Sequence, residues 1–95
     1  MQTEQIKTVA ALLKTLSHPI RLKMLCLLQE KEMTVGAIRE VVETTDANVS
    51  QHLTILRHQG IVDFRKEANY IYNRISDPRV LELIKQLQEL YCSEN

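Results

Sequence analysis

The stretch Thr44–Gly60, TTDANVSQHLTILRHQG, limits what this chain can fold into more than any other. Thr45 offers a hydroxyl to the free N–H groups of a first helical turn. Val49, Leu53 and Leu56 follow at helical spacing and make one apolar stripe. The opposite face carries Asp46, Asn48, Ser50, Gln51, Thr54 and Arg57, mostly short donors and acceptors that suit base edges better than bulk solvation alone. Gly60 stops the helix, and the period then switches from helical to alternating. Val62 and Phe64 alternate with Asp63 and Arg65, Glu67-Ala68-Asn69 forms a turn, and Tyr70–Ile75 returns as a strand. A polar-faced helix followed by a hairpin with basic and aromatic residues gives a fold that is mainly α with a β-hairpin wing, a winged helix-turn-helix. Taken alone, the helix reads equally well as an ordinary surface helix; its flanks favour the wing.

The residues upstream complete the motif. Ile6, Val9, Leu13 and Leu16 step by three or four, which predicts an amphipathic helix over 3–16. Ser17-His18-Pro19 is a break and restart, with Ser17 or His18 as cap and Pro19 where a first-turn proline loses no hydrogen bond. Residues 19–30 are apolar nearly all round and belong at the centre of the domain. Thr34 caps a short third helix with Val35, Ile38, Val41 and Val42 as its inner face, and residues 43–44 turn into the polar-faced helix. Asp77 caps a last helix that begins at Pro78 and carries Val80, Leu83, Ile84, Leu87, Leu90 and Tyr91 as a long stripe. Residues 1–95 thus make one domain. Its two terminal stripes exceed what one small core can use, so residues 3–16 and 78–92 are expected to pair with a second copy in a two-fold homodimer.

Twelve basic residues balance twelve acidic ones, which argues against bulk electrostatic attachment to nucleic acid. Affinity for DNA must come from local placement. Between Arg57 and Arg74, the basic Arg57, Arg65, Lys66 and Arg74 outnumber the acidic Asp63 and Glu67. Glu30, Glu32, Glu40 and Glu43 are expected to face elsewhere. No apolar run approaches the length of a membrane span, and MQTEQIK has no signal-peptide core, so a cytoplasmic protein without a membrane partner is expected. Two cysteines do not make a disulfide framework. No nucleophile–base–orienter set and no glycine-rich phosphate loop stands out, so no enzyme and no cofactor is expected.

Two runs carry a resemblance. Leu16–Leu22 (LSHPIRL) and Val49–Val62 (VSQHLTILRHQGIV) resemble the ArsR/SmtB repressors, dimeric winged-helix regulators that leave DNA when a metal or an oxidant binds. The resemblance implies double-stranded operator DNA as partner, met by Asp46, Ala47, Asn48, Ser50 and Gln51 on the recognition helix. His52, by contact or by packing, and Arg57 extend that set. The family often has Gln and Ser where this chain has Asp46 and Ala47. Asp46 either accepts from a cytosine amino group or repels phosphate and serves only the helix N-terminus. The family wing often ends in Gly-Arg, where this chain has Ala68-Asn69, which shifts phosphate contact to Arg65, Lys66 and Arg74.

Metal sensing in that family uses cysteines on the third helix, or His and carboxylates on the last. Residues 34–42 contain neither Cys nor His, and residues 77–92 offer Asp77, Glu82 and Glu89 but no His, so no metal site is expected. His18 sits in a break, where capping suits it better than ligation. Cys26 and Cys92 instead resemble the pair of the BigR, SqrR and HlyU-like subgroup, whose members link two cysteines in response to reactive sulfur or oxidants. Lys23, one turn before Cys26, favours its thiolate, and Glu89, one turn before Cys92, disfavours the other, so Cys26 is expected to attack first. The alternatives are a metal-responsive repressor on the same scaffold, a redox-inert winged-helix regulator, and a winged helix used only for protein contacts.

Overall fold

The computed structural model describes residues 1–92; the last three residues of the expected domain, 93–95, lie outside it. Its elements run α1 (Thr3–Leu16), α2 (Pro19–Leu28), α3 (Val35–Val42), α4 (Asp46–His58), β1 (Val62–Glu67), β2 (Tyr70–Ile75) and α5 (Pro78–Tyr91). In four of the five helices the side chain of the capping residue itself accepts from a free amide of the first turn. His18, rather than Ser17, caps α2: its Nδ1 accepts from the Ile20 N–H at 3.2 Å. Thr34 Oγ1 accepts from Ala37 N–H at 3.1 Å, Thr45 Oγ1 from Asn48 N–H at 3.0 Å, and Asp77 Oδ1 from Arg79 N–H at 2.9 Å. The central helix ends at Leu28, short of residue 30. The Glu30 N–H bonds back only three residues, to Leu27 at 3.1 Å, which tightens the last turn and closes the helix.

Met24, Leu25 and Leu28 of α2 are buried among Ile38 of α3, the whole Val49-Leu53-Leu56 stripe of α4, Ile61 and Val62, and Val80 and Ile84 of α5. Burying each of the larger side chains stabilises the fold by about 1.5–3 kcal/mol. The inner face of α3 is narrower than its sequence implies. Ile38 is buried and Val35 and Val42 are half-buried, but Val41 is exposed, because so short a helix turns only one row fully inward. Glu43, in the left-handed conformation (φ 62°), ends α3 and redirects the chain into α4; Gly60 (φ 74°) does the same between α4 and β1.

β1 and β2 pair antiparallel from Val62↔Ile75 to Glu67↔Tyr70, leaving Ala68 (φ 56°) and Asn69 as the tip. A lone hairpin is marginal in water. Here the α2–α3 connector lies along its free edge. Met33 N–H donates to Asn73 O at 3.1 Å, Asn73 N–H donates to Met33 O at 2.8 Å, and the buried Asn73 Nδ2 adds a 3.1 Å bond to Met33 O. The wing is thereby locked to the helical body. The terminal helices leave apolar side chains uncovered: Ile6 and Leu13 on α1, Leu90 and Tyr91 on α5. Among the described residues no helix is long and apolar enough to cross a membrane.

Candidate nucleic-acid interface

With Val49, Leu53 and Leu56 turned inward, α4 presents Ala47, Ser50 and Gln51 to solvent. Ser50 lends only its carbonyl, to Thr54 Oγ1 at 2.9 Å, and among the described residues the Gln51 amide has no intramolecular partner. Asp46 and Asn48, also expected there, have partners within the protein. Asp46 Oδ1 accepts from Arg39 Nε at 2.6 Å, while Arg39 also reaches Glu40 at 2.9 Å. Asp46 therefore straps α3 to the start of α4 and raises the Arg39 guanidinium's basicity. Asn48 is half-buried and donates through Nδ2 to Thr44 Oγ1 at 3.0 Å.

His52 does not share the exposed face. It is buried, its ring meets His18 edge-on with centroids 4.6 Å apart, and its Nδ1 accepts from Arg21 Nε at 3.3 Å. Arg21 also donates to the carbonyl of Thr15 at 2.9 Å, so one guanidinium fixes the end of α1, the start of α2 and the middle of α4. His52 thus positions the recognition helix rather than lining its surface. Burial, and then the neighbouring His18 and Arg21, hold its imidazole below its ordinary pKa of 6.5. The unfolded chain is then the better proton acceptor, so this group costs no stability well above pH 6.5 and destabilises the fold as pH falls through that value. Denaturant unfolding at about pH 7.5 and about pH 5.5 should show a larger acid loss for the wild type than for His52→Gln. Equal losses would show that His52 is not the group responsible.

The wing splits its cations between two faces, as strand pleating requires. Phe64 and Lys66 share one face of β1, with Asn73 and Ile71 opposite them on β2. This face looks toward α4: the Arg57 guanidinium lies 5.1 Å from the Phe64 ring centre, and a groove of about 310 Å³ between them is lined by Ser50, Thr54, Arg57, Phe64 and Ile71. Arg65 and Arg74 lie on the other face. Arg65 donates to Glu32 at 2.6 Å and to Glu67, and it stacks 4.8 Å from the Tyr72 ring centre. Arg74 pairs with Asp63 at 2.6 Å and reaches Glu32 at 3.8 Å. Glu32, expected to face elsewhere, instead faces the wing, because the Met33–Asn73 bridge draws its connector against β2.

The two cysteines line one cavity. Cys26, half-buried on α2, and Cys92, exposed at the end of α5, both line an apolar cavity of about 300 Å³ with Leu22, Ile84, Leu87, Gln88 and Tyr91. Burial pushes the Cys26 thiol up, and Cys92 and Glu30 push in the same direction. The ionisation expected from Lys23 is therefore reversed: desolvation outweighs a solvent-exposed lysine. Among the described residues no group of three or more His, Cys, Asp or Glu side chains is placed to hold a metal ion.

The chain matches known proteins over most of its length. Residues 18–63 match the family described as bacterial regulatory protein, arsR family. The transcriptional activator HlyU of Vibrio cholerae is 37% identical over 95 residues, covering 100% of this chain and 87% of HlyU. A structure of HlyU aligns with a TM-score of 0.90 at 34% identity over 96% of this chain and 99% of HlyU. The transcriptional repressor BigR of Xylella fastidiosa aligns at 0.86 with 36% identity, over 95% and 89% of the two chains. The homodimeric winged helix-turn-helix DNA-binding domain of Mb0332 from Mycobacterium bovis aligns at 0.81 with 30% identity, over 92% and 81%. A polar-faced helix on an apolar anchor, a braced wing and these likenesses together make the chain a winged helix-turn-helix transcriptional regulator of the arsR family, in the subgroup of HlyU and BigR.

Proposed function

We propose that the chain is a single-domain, homodimeric repressor that binds operator DNA in the cytoplasm and releases it when Cys26 and Cys92 become linked. The observation that carries the DNA reading is the free face of α4. Ala47, Ser50 and Gln51 stand exposed on a helix whose other side is fully buried, beside a groove that holds Arg57. Asn48, Asp46 and His52 shape that helix from within or from its rim. Arg57 and Lys66 make no ion pair among the described residues and are the cations readiest for phosphate; Arg65 and Arg74 join them once freed from carboxylates. The uncovered Ile6, Leu13, Leu90 and Tyr91 support pairing of α1 and α5 with a second copy, as in the homodimeric Mycobacterium bovis domain. Two copies would set two recognition helices on successive turns of one duplex.

Fluorescence anisotropy with duplex DNA across a salt series tests this. Two phosphate contacts per protomer, from Arg57 and Lys66, predict that log K falls with log salt with a slope of about −3.6 for the dimer, at roughly 0.9 per contact. Absence of binding at low salt would leave a protein-contact module as the better reading.

A further inference from the structure

We propose that Glu32 is an internal competitor for the DNA backbone: its carboxylate holds the wing arginines Arg65 and Arg74 until phosphate displaces it. The inference rests on the DNA-binding reading above and adds a specificity-determining residue to it. Glu32 does not reach the wing by chance of a flexible side chain. Its neighbour Met33 exchanges two backbone hydrogen bonds with Asn73, and the buried Asn73 side chain adds a third, so the connector is fixed against β2. From there one carboxylate meets both guanidinium groups, Arg65 at 2.6 Å and Arg74 at 3.8 Å.

The charge count decides what this face does at rest. Arg65 and Arg74 face Glu32, Asp63 and Glu67, two cations against three anions. As it stands the face repels a phosphate. Carboxylate and phosphate compete for the same guanidinium fork, because each offers two oxygens that accept its parallel N–H groups. The exchange is open, because the side chains of Arg65, Arg74 and Glu32 keep 40%, 44% and 34% of their surface exposed. Ion pairs at that exposure are screened and readily exchanged. The Tyr72 ring beneath Arg65 gives that guanidinium a second support that does not depend on the carboxylate, so it can change anion without losing its place. A wing contact therefore forms only where the duplex lies close enough to replace Glu32. That lowers the sequence-independent part of the affinity and leaves discrimination to α4.

The sequence-independent term can be read on any duplex, which removes the need for the operator. Wild type, Glu32→Gln and Glu82→Gln would be titrated against a labelled duplex of about 30 base pairs at several salt concentrations. Glu32→Gln should bind about three- to tenfold tighter at low salt, with a salt slope steeper by about 1 to 2. Glu82→Gln, the same charge change far along the chain on α5, should move neither quantity by as much. Glu67→Gln frees the other side of Arg65 and should shift both in the same direction; it carries the test if Glu32→Gln melts below the assay temperature. Glu32→Gln binding with unchanged or weaker affinity and an unchanged slope would overturn the proposal while the wild type still binds. Failure of the wild type and Glu32→Gln alike to bind at low salt would overturn both this inference and the DNA reading beneath it.

Discussion

Truncating Leu56 to alanine is expected to lower stability by about 3–5 kcal/mol and to drop the melting temperature by more than about 10 °C. Leu56 has no exposed surface, and it belongs to the one cluster that joins α2, α3, α4 and α5. Its carbonyl also accepts from the Ile61 N–H at 2.9 Å, so the same residue sets where the chain leaves the recognition helix. The missing side chain removes transfer free energy and leaves a cavity that a short helix cannot collapse into. Domains of this size keep only about 5–15 kcal/mol of net stability, so a large share goes at once. Thr54→Ala, on the solvent side of the same helix, should stay within about 0.5 kcal/mol of the wild type. Denaturant unfolding of both variants checks the contrast; a loss at Leu56 no larger than at Thr54 would show that α4 is not anchored as its burial indicates. DNA affinity of Leu56→Ala should fall with its folded fraction and not before it.

Much of this architecture was legible because its signals are local. His18, Thr34, Thr45 and Asp77 each sit within three residues of the amide they cap, and the change of period after Gly60 fixes the hairpin and its inner face. The contacts that the sequence does not mark are those between distant partners. Glu32 meets Arg65 across 33 positions, Arg21 meets His52 across 31, and Asn73 meets Met33 across 40. No spacing rule marks such pairs. His52 reads equally as a contact or as packing on the polar-faced helix, and one step from Leu53 it turns into the α1–α2 junction. Asp46 reads as a base contact or a helix-end charge, and its partner Arg39, on the preceding helix, is not marked by either reading. Cys26 shows the same limit in its chemistry: Lys23 is visible one turn away, whereas the burial that overrides it depends on where α5 packs.

Reduced protein treated with tetrathionate or an organic polysulfide is expected to link Cys26 to Cys92 and to bind DNA about 5- to 150-fold more weakly, the usual span of coupling between two sites. Cys92 is the exposed thiol and is expected to meet the reagent first; Cys26 is half-buried, and burial pushes its thiol pKa up. With tetrathionate, the Cys92 thiolate attacks a central sulfur and expels one thiosulfate. Cys26 then loses its proton, attacks the Cys92 adduct and expels the second. Two thiols lose two hydrogens, and tetrathionate gains two electrons to become two thiosulfates. The intact mass falls by two hydrogens, or rises where a polysulfide leaves sulfur in the bridge. A direct disulfide requires Cα atoms within about 7 Å, and inserted sulfur relaxes that limit. The bridge would tie the last turn of α5, where Leu90 and Tyr91 stand uncovered, to the core helix α2. If those residues seat the partner subunit, the link resets the angle between two recognition helices, and a fixed half-site spacing converts a small rotation into lost affinity. Cys26→Ser and Cys92→Ser should each bind DNA as the reduced wild type does and ignore the reagent. A linked protein with undiminished affinity would separate the cysteines from the regulation of DNA binding and leave the apolar cavity between α2 and α5 as a packing feature alone.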